Sequence, residues 1–242
     1  MVSWVIKPVR ALGASLFAAA LAGALVACGD DEPKQRAAFI AFLNDRIVSK
    51  PGVHLPTPTD EETKSFGPYA AQLAVIVDFN HQMDEVSSGS MGGFATLSQQ
   101  VHSLGDVIAH KAEIAKLHDA LAGFEPELKK QIAAADAARA ALPPQPDDLK
   151  PVYAAAYDRD VTAPATVMSD ALPALDETVQ AMLAIASFVD ANRSKITING
   201  SMVNAADPKL QPQLQELLTK LNAASEKTSE ARDRLMKTIN GT

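Results

Sequence analysis

The chain predicts a mainly α fold, a multi-helix bundle with one small β-hairpin near residues 195–205, and three observations carry that expectation. Apolar residues recur at steps of three and four through most of the chain. Aromatic residues make up only 5% of a sequence that is 47% hydrophobic, which leaves an Ala- and Leu-built interior suited to closely packed helices. A single dipeptide, Asn199-Gly200, between two short β-rich runs is the only strong hairpin signal.

The N-terminal stretch departs from this pattern. Lys7 and Arg10 precede an apolar run from Ala11 to Ala27 that ends in Leu25-Val26-Ala27-Cys28, the arrangement of a lipobox. Residues 1–27 are therefore expected to be a lipoprotein signal peptide and Cys28, the only cysteine, the lipidated residue. Each buried methylene contributes about 0.8 kcal/mol and one chain anchors marginally, so several chains on one cysteine would hold a domain firmly at a bilayer. Two other readings compete. An uncleaved membrane helix needs roughly 20 apolar residues, and Gly13, Ser15 and Gly23 interrupt a shorter run. A secretory cut after Ala22-Gly23-Ala24 would leave Cys28 as an unexplained thiol.

Residues 28–242 then form one helical domain, with a candidate sub-boundary at the proline-rich segment 143–146. The chain carries 22 basic and 29 acidic residues, and removing Lys7 and Arg10 with the signal makes the body more acidic still. Such a surface repels phosphate backbones and anionic headgroups, which excludes nucleic acid as the expected partner and leaves tethering to the lipid. With Cys28 acylated no disulfide is available, so packing alone stabilises the fold.

The first helix is expected from Glu32-Pro33, carries Phe39, Ile40, Leu43 and Ile47, and stops at Lys50-Pro51-Gly52. Val53 to Pro58 reads as extended chain, and Thr59 with Glu62 makes a capping box for a short helix ending near Phe66. Pro68 opens a longer helix through Tyr69, Leu73, Ile76, Asn80 and Met83. Ser87 to Gly93, with three glycines among serines, reads as a hinge. It lacks the lysine of a phosphate-binding loop. The helical period then runs from Phe94 to Leu142, with Pro126 expected to kink or divide it near Gly123.

Asp147 or Asp148 is expected to cap the next helix, which carries Leu149, Val152, Tyr153, Tyr157 and Val161. Pro164 reads as a restart, followed by a heptad-like stripe through Met168, Leu172, Leu175, Val179, Met182, Ala186 and Val189 that Pro173 should bend. A lone hairpin is marginal in water, so the one at 195–205 must lean on helices or on a partner chain. From Asp207-Pro208 a last helix reaches Gly241, with its polar middle, Ser225 to Arg232, expected in solvent.

These elements carry a resemblance. Cys28-Gly29-Asp30, Glu32-Pro33 with Gln35-Arg36, Phe66-Gly67-Pro68-Tyr69, Leu149-Lys150-Pro151-Val152-Tyr153 with Tyr157-Asp158, Pro164-Ala165 and Asn199-Gly200 together resemble the YiaF-type family of proteobacterial lipoproteins. The similarity spans the chain after the signal apart from about Gly89 to Phe124. That family is catalogued as a domain of unknown function, and the resemblance implies an exported, membrane-associated helical protein with no catalytic residue to carry over.

Candidate sites therefore stand on their own chemistry. His102, His110 and His118 are eight residues apart, about 12 Å along a helix, too far to share a metal. Asp78-x-x-His81 with Asp84 and Glu85 could chelate, but a bundle di-metal centre needs a second such motif and further glutamates, and none has that spacing. No metal, cofactor or catalytic residue is assigned. No serine sits in Gly-x-Ser-x-Gly. Tyr157 and Asp158, in a charged cluster with Arg159 and Asp160, are the weak candidates for ligand contact.

The expected function is accordingly a non-enzymatic, lipid-anchored binding or scaffold module facing the periplasm, with another envelope protein as partner. The alternative is a carrier of an apolar or amphiphilic ligand held between helices. A carrier predicts a cavity lined by residues such as Phe79, Met83, Met168 and Met182, and a scaffold predicts those side chains packed together. Gly29 after the lipidated cysteine, where inner-membrane retention usually calls for aspartate, favours the outer membrane over the inner. Oligomeric state is left open.

Overall fold

In the computed structural model, residues 31–199 and 202–242 are described. The lipobox, Cys28 and the Gly200 of the hairpin signal lie outside them. The described chain is mainly helical, with eight α-helices and one two-stranded antiparallel sheet.

Helix α1 spans Glu32–Leu43 and runs on as a π turn over Asn44–Val48. Thr59 caps α2, Asp60–Ser65, with both bonds of the expected box: Glu62 N–H donates to Thr59 Oγ1 at 3.1 Å and Thr59 N–H to Glu62 Oε2 at 2.8 Å. A 3₁₀ turn at Gly67–Tyr69 leads into α3, Ala70–Ser98. The expected hinge at Ser87–Gly93 is instead part of this helix. A glycine costs a helix about 1 kcal/mol relative to alanine, a penalty that buried residues on either side, Phe79 and Leu97, offset by docking.

The chain breaks later, at Gln99–Ser103. There Ser103 caps α4, Leu104–Ala109, by accepting from Asp106 N–H at 3.2 Å while Asp106 accepts from Ser103 N–H at 2.9 Å. Helix α5, Lys111–Ala140, is not divided by Pro126. Helix α6, Leu149–Tyr157, begins at Asp148, whose side chain makes no cap bond and instead meets Arg36 of α1 at 3.2 Å.

Pro164 does not restart the chain. A π turn over Asp158–Thr162 joins α6 directly to α7, Ala163–Ala191. Proline lacks the N–H that would bond the carbonyl four residues earlier, that of Asp160. Asn80 of α3 donates its Nδ2 to that carbonyl at 3.1 Å, so the helix tolerates the proline. The stretch Leu149–Ala191 is long and apolar enough to cross a bilayer, but Tyr153, Tyr157, Ile185 and Val189 on it are core residues of the bundle.

Strands β1, Ile196–Asn199, and β2, Met202–Ala205, pair with Ile196 opposite Ala205 and Asn199 opposite Met202. Asn199, expected as the first residue of the turn, is thus the last residue of β1. Ile196 and Ala205 are buried, and the hairpin leans on α4 and on α8, Gln211–Asn240. Gly241 ends α8 in the left-handed conformation at φ 70°. It closes against Gly52, also at positive φ, and Val53 N–H donates to Ile239 O at 2.9 Å. A Cβ on either glycine would lie 2.2 Å from the other segment's backbone, so this clasp needs both.

Two hydrophobic cores stack along the molecule. An aromatic core joins α1, the start of α3 and α6 through Phe39, Phe42, Phe66, Tyr69, Tyr153 and Tyr157. An aliphatic core joins α4, α5, α7, the hairpin and α8 through residues such as Ile114, Leu128, Val179, Ile185 and Leu214. Both contain residues from either side of segment 143–146, so that segment is a loop and does not divide the interior. Gln145 fastens it to α3 by donating to Gln72 Oε1 at 3.1 Å.

Candidate functional site

The residues singled out for metal binding are not brought together. Asp78, His81, Asp84 and Glu85 lie exposed on α3. His102 turns back to the Gln99 carbonyl, His110 approaches Glu113, and His118 lies between Asp119 and Asp176. Among the described residues no group of three His, Cys, Asp or Glu could hold an ion.

The two candidate contacts separate. Tyr157 is 1% exposed and its hydroxyl donates to Asp136 Oδ1 at 2.9 Å, while the Arg139 guanidinium stacks 4.3 Å from its ring. Burial and that carboxylate push the phenol well above its ordinary range, so it stays a neutral donor. Asp158 is exposed beside a shallow hollow formed with Pro51, Gly52, Arg159 and Thr238.

The unusual acid is Asp160, two residues on. It is fully buried under the 53–59 segment, where one carboxyl oxygen accepts the His54 N–H at 3.2 Å. Its Oδ2 meets no donor among the described residues. Desolvation pushes its pKa up to about 6, against the His54 amide and the Arg159 charge. The charged run was visible in the sequence, but what singles out Asp160 is the distant loop that covers it.

Two markedly apolar hollows lie in the distal half, the half built on the aliphatic core, between α3, α5, α7 and α8. One cavity of about 280 Å³ is lined by Phe94, Phe124, Met168, Leu172, Leu175 and Leu235, among others. A second, of about 230 Å³, is lined by Leu97, Leu117, Val179 and Met182, among others. The two share Phe94, Leu175 and Thr228 in their walls and lie end to end as a two-part cleft. Thr228 is held at this waist, donating to Ala174 O at 2.8 Å with its hydroxyl 2.8 Å from that of Thr178. The middle of α8, Ser225 to Arg232, is mostly exposed as expected, with Thr228 the residue that docks on α7.

Of the four side chains that distinguish a carrier from a scaffold, Phe79 packs in the aromatic core and Met83 sits between the cores. Met168 and Met182 pack against the aliphatic core and also line the cleft. The cleft offers apolar surface and satisfied hydroxyls, a chemistry of binding, and it brings together no nucleophile and base.

A family model described as "Protein of unknown function (DUF3053)" matches residues 16–236. The chain is 24% identical over 220 residues to the "Uncharacterized protein YiaF" of Escherichia coli K12, covering 91% of each chain, and the same figures hold for the proteins of that name from Escherichia coli O157:H7 and Shigella flexneri. No solved structure matches.

Proposed function

The chain belongs to the DUF3053 family, and from that premise we propose that it is a lipid-anchored envelope protein, facing the periplasm, that acts by binding. The cleft between α3, α5, α7 and α8 is the observation that carries the binding role, and it favours a carrier of an apolar or amphiphilic ligand over a scaffold. The lipobox Leu25-Val26-Ala27-Cys28 supports the anchor, and Gly29 supports the outer membrane. The acidic body supports attachment by lipid instead of by charge.

Metabolic labelling with an alkyne fatty acid, followed by membrane fractionation, tests the anchor. Labelled protein should band with outer-membrane markers, and Cys28→Ala should lose the label, keep its signal segment and leave the outer-membrane fraction. An unlabelled native protein, or a variant that still bands with outer-membrane markers, would contradict it.

A further inference from the structure

The cleft reading can be taken to a ligand class, and the inference below rests on that reading. We infer that the cleft holds a single acyl chain with an anionic head, a free long-chain carboxylic acid, with the chain along α7 and the head at Arg232.

Shape sets the first half of this assignment. From Met168 to Met182 the cleft follows α7 for about 21 Å at the helical rise of about 1.5 Å per residue. One leaflet of a bilayer, about half of a hydrocarbon core of roughly 30 Å, is the depth one acyl chain spans, so the cleft accepts such a chain lengthwise. Each cavity by itself falls short of the roughly 300 Å³ at which small-molecule sites begin, so a single chain lying across both fits better than a two-chain lipid. Thr178 and Thr228 already satisfy each other, so the waist asks no hydrogen bond of its occupant.

Charge sets the second half. Arg232 is the only charged side chain among the described residues lining the two cavities. Among the described residues its guanidinium is engaged by the adjacent Asp233 alone, at 3.1 Å on an exposed helix face, a surface pair of little strength that a better-aimed carboxylate can replace. Lys227 nearby is already committed to Glu177 at 2.8 Å. A guanidinium fork takes a carboxylate through two parallel bonds.

The test is titration of the full chain with cis-parinaric acid and with its methyl ester, read by fluorescence. Expected is saturable one-to-one binding, with the acid at least about fivefold tighter than the ester. Arg232→Gln, on an exposed position, should abolish that preference without weakening the ester. Ala231→Trp, which fills the cleft, should abolish both, with Ala171→Phe as a second block should the first not fold by circular dichroism. Equal affinity for acid and ester would overturn the anionic head and leave the cleft reading standing. Failure of both to bind, or binding that survives both blocks, would overturn the cleft itself. Binding only in Cys28→Ala would assign the cleft to the protein's own anchor and overturn the proposal.

Discussion

The two halves of the bundle solve burial differently. In the aromatic core, Phe39 sits 5.3 Å from the Phe66 ring and 6.0 Å from Tyr69, and Phe42 lies 4.9 Å from Phe66. Its polar tips are tied: Tyr69 donates to Glu32, Tyr153 to the Gln72 carbonyl at 3.0 Å, and Tyr157 to Asp136. In the distal half, aliphatic side chains of α5, α7 and α8 meet Val86, Phe94 and Leu97 of α3, while Gly89 and Gly93 lie on its exposed side. Large rings with anchored hydroxyls fix one arrangement, whereas Met and Leu adapt to more than one. Hollows border both halves, one of about 240 Å³ lying beside Val75, Phe79 and Ala135 of the aromatic core, but those of the distal half are the ones walled almost wholly by apolar side chains.

The contrast is sharpest in core truncations. Phe39→Ala, at a fully buried ring with two ring partners, should destabilise by about 3–5 kcal/mol. Leu175→Ala, at a half-buried position beside existing space, should cost well under half as much. Urea unfolding of both variants measures this, and equal losses would erase the distinction.

A smaller effect comes from Asp160, which borders the aromatic core. Its folded-state pKa of about 6 lies above its ordinary 3.8, so between those values the folded chain keeps a proton that the unfolded chain releases. Stability should therefore fall as pH rises from about 4 to about 6. Asp160→Asn should remove that fall and raise stability at pH 7.5 by on the order of 1–2 kcal/mol. Melting temperatures at pH 4.5 and 7.5 check it, and a variant that keeps the slope would place the titration elsewhere.

Local chemistry was legible in the sequence where it acts over a few residues. The Thr59–Glu62 box, the stop at Pro51-Gly52 and the Gly241 terminus all fall where spacing places them. Two of the misreadings share a cause with the unforeseen burial of Asp160, since all three were decided by residues far away in the chain. Asn80 supplies the bond that lets Pro164 stay helical, docking on either side carries α3 through its glycines, and the 53–59 segment closes over Asp160. The break before α4 was local, but its box uses Asp106 in place of the more familiar Glu or Gln. The cleft was foreshadowed only by Met168 and Met182, because apolar periodicity reports which face is inward and not whether that face is filled.

Residue-resolved hydrogen exchange, with and without palmitate, tests the division between a fixed half and an open half most directly. Expected are slow amides in α1, the first half of α3 and α6 under both conditions, and faster amides along 168–182 of α7 and 225–235 of α8 that slow when palmitate is added. Uniform protection throughout the bundle, unchanged by palmitate, would contradict it.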